Sequence, residues 1–276
     1  MSILKFYPDK HKYISEDGTD WLSVTSLISN FKQPFDADAI ALKSSRNKKS
    51  KWYGMTHEEI KEAWKAEAKR ATDLGTWYHN CREQDLCEFE TIERQGSTVS
   101  IFKPVEIEGI KHSPNQKLTD GVYPEHMVYL KSAGICGQSD LVEVVNGVVN
   151  ITDYKTNKEI KLSGFTNWEG VTQKMSAPVS HLDDCHLNHY ALQLSMYMFI
   201  ILKHNPKLKP GILTIHHVLF EEVGRDKFDN PITALDTNGN PIVLDIVQYD
   251  LPYLKQEAID VIHWLEDNKN KIKPKY

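Results

Sequence analysis

Short apolar runs broken by turn signals mark the middle of the chain as strands. Leu141 to Val145 and Val148 to Ile151 are two such runs, and Asn146-Gly147 between them is a strong signal for a two-residue hairpin turn. That turn makes Val145 face Val148. Each further pair steps outward by one residue on both strands, which sets Asp140 opposite Asp153. Because strand side chains alternate, Val142, Val144, Val149 and Ile151 share one apolar face, and Asp140, Asp153 and Lys155 emerge at its end.

The same reading extends to both sides of the hairpin. Residues 1–35 form a β-rich lead-in, in which Trp21 to Ile28 passes from strand to a capped helix start. Residues 36–56 are polar and basic, with Lys43, Arg46, Lys48, Lys49, Lys51 and Trp52. Thr56 followed by Glu59 is a capping-box pair. It opens a helix to about Lys69, and a second helical stretch runs through Leu86. Short strands and turns alternate over 91–122, and a further strand is expected from Glu125 to Leu130. The long 157–184 connection carries Gly164, Gly170 and Pro178, and loops of this length are often functional. An apolar helix follows from about His186 to Lys203 and stops at Asn205-Pro206, with a buried strand at Ile212 to Phe220. Residues 224–241 read as a polar β-excursion, and a helix from about Pro252 to Asp267 precedes a basic tail.

The core order is thus helix, three strands, helix, strand. It predicts an α/β fold whose mixed sheet is antiparallel in the hairpin and reaches its last strand through a helical crossover. Two regions are expected: a β/helical region over 1–69, suited to DNA binding, and the core with its C-terminal helix over 70–276.

At 276 residues the chain can bury a sizeable core. A net charge of −5 argues against a generally basic nucleic-acid coat, yet leaves room for a local basic groove. No apolar run approaches a membrane span, and the N-terminus lacks the basic-then-apolar pattern of a signal peptide. No membrane partner is expected. A reducing, cytoplasmic location is the default expectation. Cys81, Cys87, Cys136 and Cys185 contain no Cys-x-x-Cys pair and read as free thiols.

Chemistry concentrates at the hairpin end. Directly opposed like charges destabilise an antiparallel pair, and two nearby carboxylates resist ionising together. A hard divalent cation such as Mg²⁺ or Mn²⁺ removes the conflict. Phosphodiester hydrolysis needs such a cation, and a lysine beside it that orients water or offsets developing charge. His181, Asp183, Asp184, Cys185, His186 and His189 also cluster in sequence, but match no clean ligand spacing.

Gly137-x-x-Asp140 followed by Asp153-Tyr154-Lys155-Thr156 resembles the PD-(D/E)XK nuclease superfamily, whose restriction-endonuclease-like core runs αβββαβ. Two flanking motifs resemble its RecB-like exonuclease branch: Gly75-Thr76-Trp77-Tyr78-His79 with Glu83 one turn later, and Tyr190-x-x-Gln193-x-x-x-Tyr197. Phage and mitochondrial-maintenance exonucleases are similar. The resemblance covers roughly residues 70–220. It implies metal ligation by His79, Asp140, Asp153 and the Tyr154 carbonyl, with Glu125 as a further acid. Lys155 would be the catalytic lysine. Gln193 and Tyr197 would contact DNA or brace the site, although core packing competes for Tyr197, and Tyr190 reads as structural. Lys49, Lys51 and Trp52 are candidate DNA contacts. The activity implied is a metal-dependent DNA exonuclease acting at ends or in single strands. The alternatives are a structure-specific endonuclease and a DNA-binding or assembly protein with an inactive core.

Overall fold

The computed structural model describes residues 3–268, so the basic tail from Lys269 to Tyr276 lies outside the described residues. The chain opens with three short strands, β1 (Leu4–Tyr7), β2 (Lys12–Ser15) and β3 (Asp20–Ser23), leading into α1 (Val24–Ser29). Ser23 caps α1 by accepting from the Ser26 amide. The basic segment that follows holds a helix that the pattern does not announce, α2 (Ala37–Arg46), capped by Asp36. Ala41 is its only buried side chain, so no apolar stripe marks it.

The helix α3 (His57–Cys87) starts at the Thr56–Glu59 capping box, as predicted. It is one helix of 31 residues rather than two. The stretch across the expected break consists of Ala, Glu, Lys and Arg, all good helix formers. Ion pairs Glu67–Arg70 (2.7 Å) and Lys69–Asp73 (2.6 Å) span it. The division placed between residues 69 and 70 falls inside this continuous helix.

The strands β4 (Thr91–Arg94), β5 (Ser97–Ile101), β6 (Val105–Ile107) and β7 (Ile110–His112) precede the central group. That group is β8 (Gly121–Leu130), β9 (Ile135–Val145), β10 (Val148–Lys155), α4 (His186–His204) and β11 (Lys209–Phe220). The start of β8 lies four residues before the expected one. Pro124, a residue rare inside strands, disguises it, yet the pairing with β9 runs through Pro124–Leu141. A small ribbon of β12 (Glu222–Arg225) and β13 (Pro231–Thr233) follows. The pattern predicts no strand after it, but β14 (Val243–Leu251) pairs antiparallel with β11 before α5 (Lys255–Asn268). Leu244 and Ile246 are exposed beside Asp245, which blurs the alternation there.

The sheet is mixed: β8–β9 and β9–β10 are antiparallel, and the α4 crossover lays β11 parallel to β10. The predicted register holds from Val145–Val148 to Leu141–Thr152. Asn146 and Gly147 both take positive φ, 52° and 72°, as a type I′ turn requires. The β9–β10 ladder ends at Leu141–Thr152. On the same edge of β9, β3 pairs in parallel at Ile135 and Cys136. Residues 137–140 therefore lie in a fork between β10 and β3.

One sheet face packs on α1, α4 and α5, through a cluster that includes the predicted Val142, Val144, Val149 and Ile151 with Leu192 and Met196. On the other face, Tyr78 of α3 meets Tyr154 and Val218. Tyr197 of α4 lies against Gly137, where a Cβ would come within 2.5 Å of its ring. Overpacking of this kind costs about 1–3 kcal/mol. Gly137→Ala should therefore lower the unfolding free energy measured by chemical denaturation by that amount, and an unshifted transition would contradict the contact.

Candidate metal centre

The fork gathers the charged residues of the hairpin. Asp140 of β9 and Asp153 of β10 are 9% and 1% exposed. Instead of continuing the ladder, the Tyr154 amide donates to Asp140 Oδ2 at 2.7 Å. The two acids thus stand at the first position past the last ladder pair, where a carboxylate replaces a backbone carbonyl as acceptor. Glu125 lies on β8, opposite Asp140. Its φ of +50° is uncommon for a residue other than glycine, while Pro124 and His126 keep their register on either side. The strained backbone is confined to this acid.

Cations reach the acids from three separate elements. Lys155 forms an ion pair with Asp153 Oδ2, an oxygen that has no hydrogen bond. His79 of α3 places Nδ1 3.4 Å from Asp140 Oδ1 and 3.6 Å from Glu125 Oε1, and Nε2 3.2 Å from the Tyr154 carbonyl. Lys111 of β7 lies 3.7 Å from Glu125 and 3.0 Å from Glu83.

Burial and charge set the protonation of this cluster. Burial holds the Asp140 carboxyl well above the usual carboxylate range, and the Asp153 charge pushes the same way. Burial alone would depress His79, but Asp140, Glu125 and Asp153 outweigh it and raise the imidazole to about 9. Lys155 follows the same logic: burial opposes its charge, and Asp153 and Asp140 more than restore it. At neutral pH the lysine is held as an ammonium, suited to stabilising charge rather than removing a proton.

His79, Glu125 and Asp140 offer ligand atoms that all lie within 4.8 Å of one another and could hold a metal ion. Asp153 is outside that trio. Its Oδ1 accepts from Gln193 Nε2 at 3.4 Å and its Oδ2 faces Lys155. The Tyr154 carbonyl expected as a ligand is engaged by His79.

The remaining expected residues divide. Gln193 reaches the site and also touches the Tyr197 hydroxyl at 3.3 Å, while Tyr197 itself is buried in the core. Sequence reasoning missed three supports. The Lys155 ammonium lies 5.0 Å over the Tyr190 ring, whose hydroxyl donates to Asn157 at 2.8 Å. Gln138 hydrogen-bonds Glu125. Lys111 arrives through the β1–β7 pairing. The spacing of Tyr190 one turn before Gln193 could have flagged the first; nothing local flags Lys111.

Lys49, Lys51 and Trp52 do not join the cluster. Trp52 packs edge-to-face on Trp64 at 6.4 Å. Trp64 lies fifteen residues before His79 in α3, about 22 Å at roughly 1.5 Å per residue. The 181–189 residues also disperse: His189 binds Asp184 (2.6 Å), His181 binds Glu257 (3.0 Å) and Asp183 binds Lys174. The four cysteines are free.

Comparison with protein families, curated proteins and solved structures finds no match to this chain. Among the described residues, no helix is long and apolar enough to cross a membrane.

His79 holds a proton at neutral pH, and a metal ligand must give it up. Titrating Mn²⁺ into the protein should therefore release protons, seen calorimetrically as heat that scales with the buffer's ionisation enthalpy. The apparent affinity should rise from neutral pH toward the His79 value of about 9. A pH-independent affinity would contradict this arrangement.

Proposed function

We propose that the protein is a metal-dependent deoxyribonuclease of the PD-(D/E)XK type. It would act as an exonuclease on DNA ends or single strands, in replication, recombination or repair. The observation that carries this reading is the meeting of Asp140, Asp153 and Lys155 at one fork, with His79 entering from α3 and Gln193 from α4. The order α3, β8, β9, β10, α4, β11 agrees with the αβββαβ core that the motifs suggest.

His79, Glu125 and Asp140 are the groups that would hold Mg²⁺ or Mn²⁺, while Asp153 and the Tyr154 carbonyl, also expected as ligands, are turned to Lys155 and His79. Oxygen donors with one imidazole suit such ions. The bound ion would supply Lewis-acid stabilisation of charge on the phosphoryl oxygens.

The chain's own groups do the rest. The Lys155 ammonium, held by Asp153 and the Tyr190 ring, offsets negative charge developing on a non-bridging oxygen. Gln193 steadies Asp153, its amide donating to Asp153 Oδ1 at 3.4 Å and to the Tyr197 hydroxyl at 3.3 Å. Burial of the carboxylates limits competing water and strengthens every charge interaction.

Lys155→Ala should lower cleavage of linear DNA by about a hundredfold or more. DNA binding measured in Ca²⁺ and the far-UV circular dichroism should be retained. Metal-dependent cleavage at the wild-type rate by the purified variant would sink this mechanism.

A further inference from the structure

Lys43, Arg46, Lys48, Lys49 and Lys51 fall between Ala39 and His57 with no carboxylate among them, on a chain whose net charge is −5. All five are exposed, and Lys43, Arg46, Lys48 and Lys49 have no ion-pair partner among the described residues. Aromatic rings share this surface. Phe35 is 66% exposed and lies 5.6 Å from Trp64, and Lys51 Nζ sits 4.3 Å over the Trp52 ring. Cations interleaved with accessible ring faces are the recognition chemistry of single-stranded nucleic acid, the charges meeting phosphates and the rings meeting bases.

Two features link this platform to the metal centre. One is α3, which carries Trp64 at the platform, Arg70 part-way along and His79 at the centre. The other is a cleft of about 370 Å³ lined by Arg70, by Thr156, Asn157 and Lys158 directly after Lys155, and by Pro231 and Thr233 of β13. The turn of the β12–β13 ribbon carries Phe228 and Asp229, and Lys51 reaches both, at 3.5 and 3.8 Å. The ribbon thus touches the platform at its turn and lines the cleft with its strand.

We propose that a single-stranded DNA segment lies along α3, from the basic aromatic platform through the Arg70–Lys158 cleft, with the bond to be cleaved at the His79–Asp140 end. This rests on the reading of the centre as a DNA-cleaving one. The helix then sets a length. At a stacked spacing of roughly 3.4 Å, about six or seven nucleotides separate the platform from the cleaved bond.

The test is the anisotropy of labelled oligothymidylates, a tetramer and a dodecamer, with the full chain in Ca²⁺. The tetramer is too short to span both stations. Wild type should bind the dodecamer more tightly by about tenfold or more, the scale of one or two base stacks with their phosphate contacts. In Lys48→Ala/Lys49→Ala, and separately in Trp52→Ala, that ratio should collapse to within about threefold. The lysine variant should also lose roughly 0.7 per phosphate contact from the slope of log affinity against log salt. Both lysines are exposed, so this variant keeps its fold even if Trp52→Ala does not. An unchanged ratio and salt slope in the lysine variant overturn the path, as does tighter binding of a duplex dodecamer than of the single strand. Wild type that binds neither length overturns the nuclease reading as well, which separates the two failures.

Discussion

Two buried carboxylates and a partly buried third, meeting at one point, dictate much of this structure. Asp140, Asp153 and Glu125 converge where water screens them poorly, and like charges so placed are unfavourable unless each finds a cation or a proton. The chain supplies His79, Lys155 and Lys111, each from a different element. The charges are therefore balanced only when α3, β7 and the central hairpin have all assembled. The amide of Tyr154 joins the same bargain by leaving the ladder for the Asp140 carboxylate. A fork in the sheet is the result, and it opens the acids to side chains from both faces.

The local parts of this arrangement were legible in the chain. Asn146-Gly147 sets the hairpin register because only a primed turn suits both its positive φ values and the strand twist. The apolar face of the hairpin, the Thr56 cap and the α4 crossover follow from patterns that span a few residues. The position of His79 beside the acids was legible only through its motif, because residues 79 and 140 meet across the fold.

What escaped the sequence depends on non-local or blurred signals. Lys111 reaches Glu125 only through pairing of two short strands. Tyr190 looks structural until the Lys155 ammonium is seen above its ring. The expected break in α3 vanishes because good helix formers and paired charges bridge it. Pro124 and the positive φ of Glu125 hide the start of β8, and mixed exposure hides β14. The unbroken α3 matters beyond the fold, since it fixes the spacing between the basic platform and the acids.

The most direct measurement is a digestion time course on end-labelled linear and circular single-stranded DNA, with Mg²⁺, Mn²⁺ or EDTA. The account predicts progressive shortening of the linear strand with either metal, none in EDTA, and circles left intact. Cleaved circles would replace the exonuclease with an endonuclease at the same centre. No metal-dependent cleavage of either DNA would contradict the central claim that the buried acids form a DNA-cleaving site.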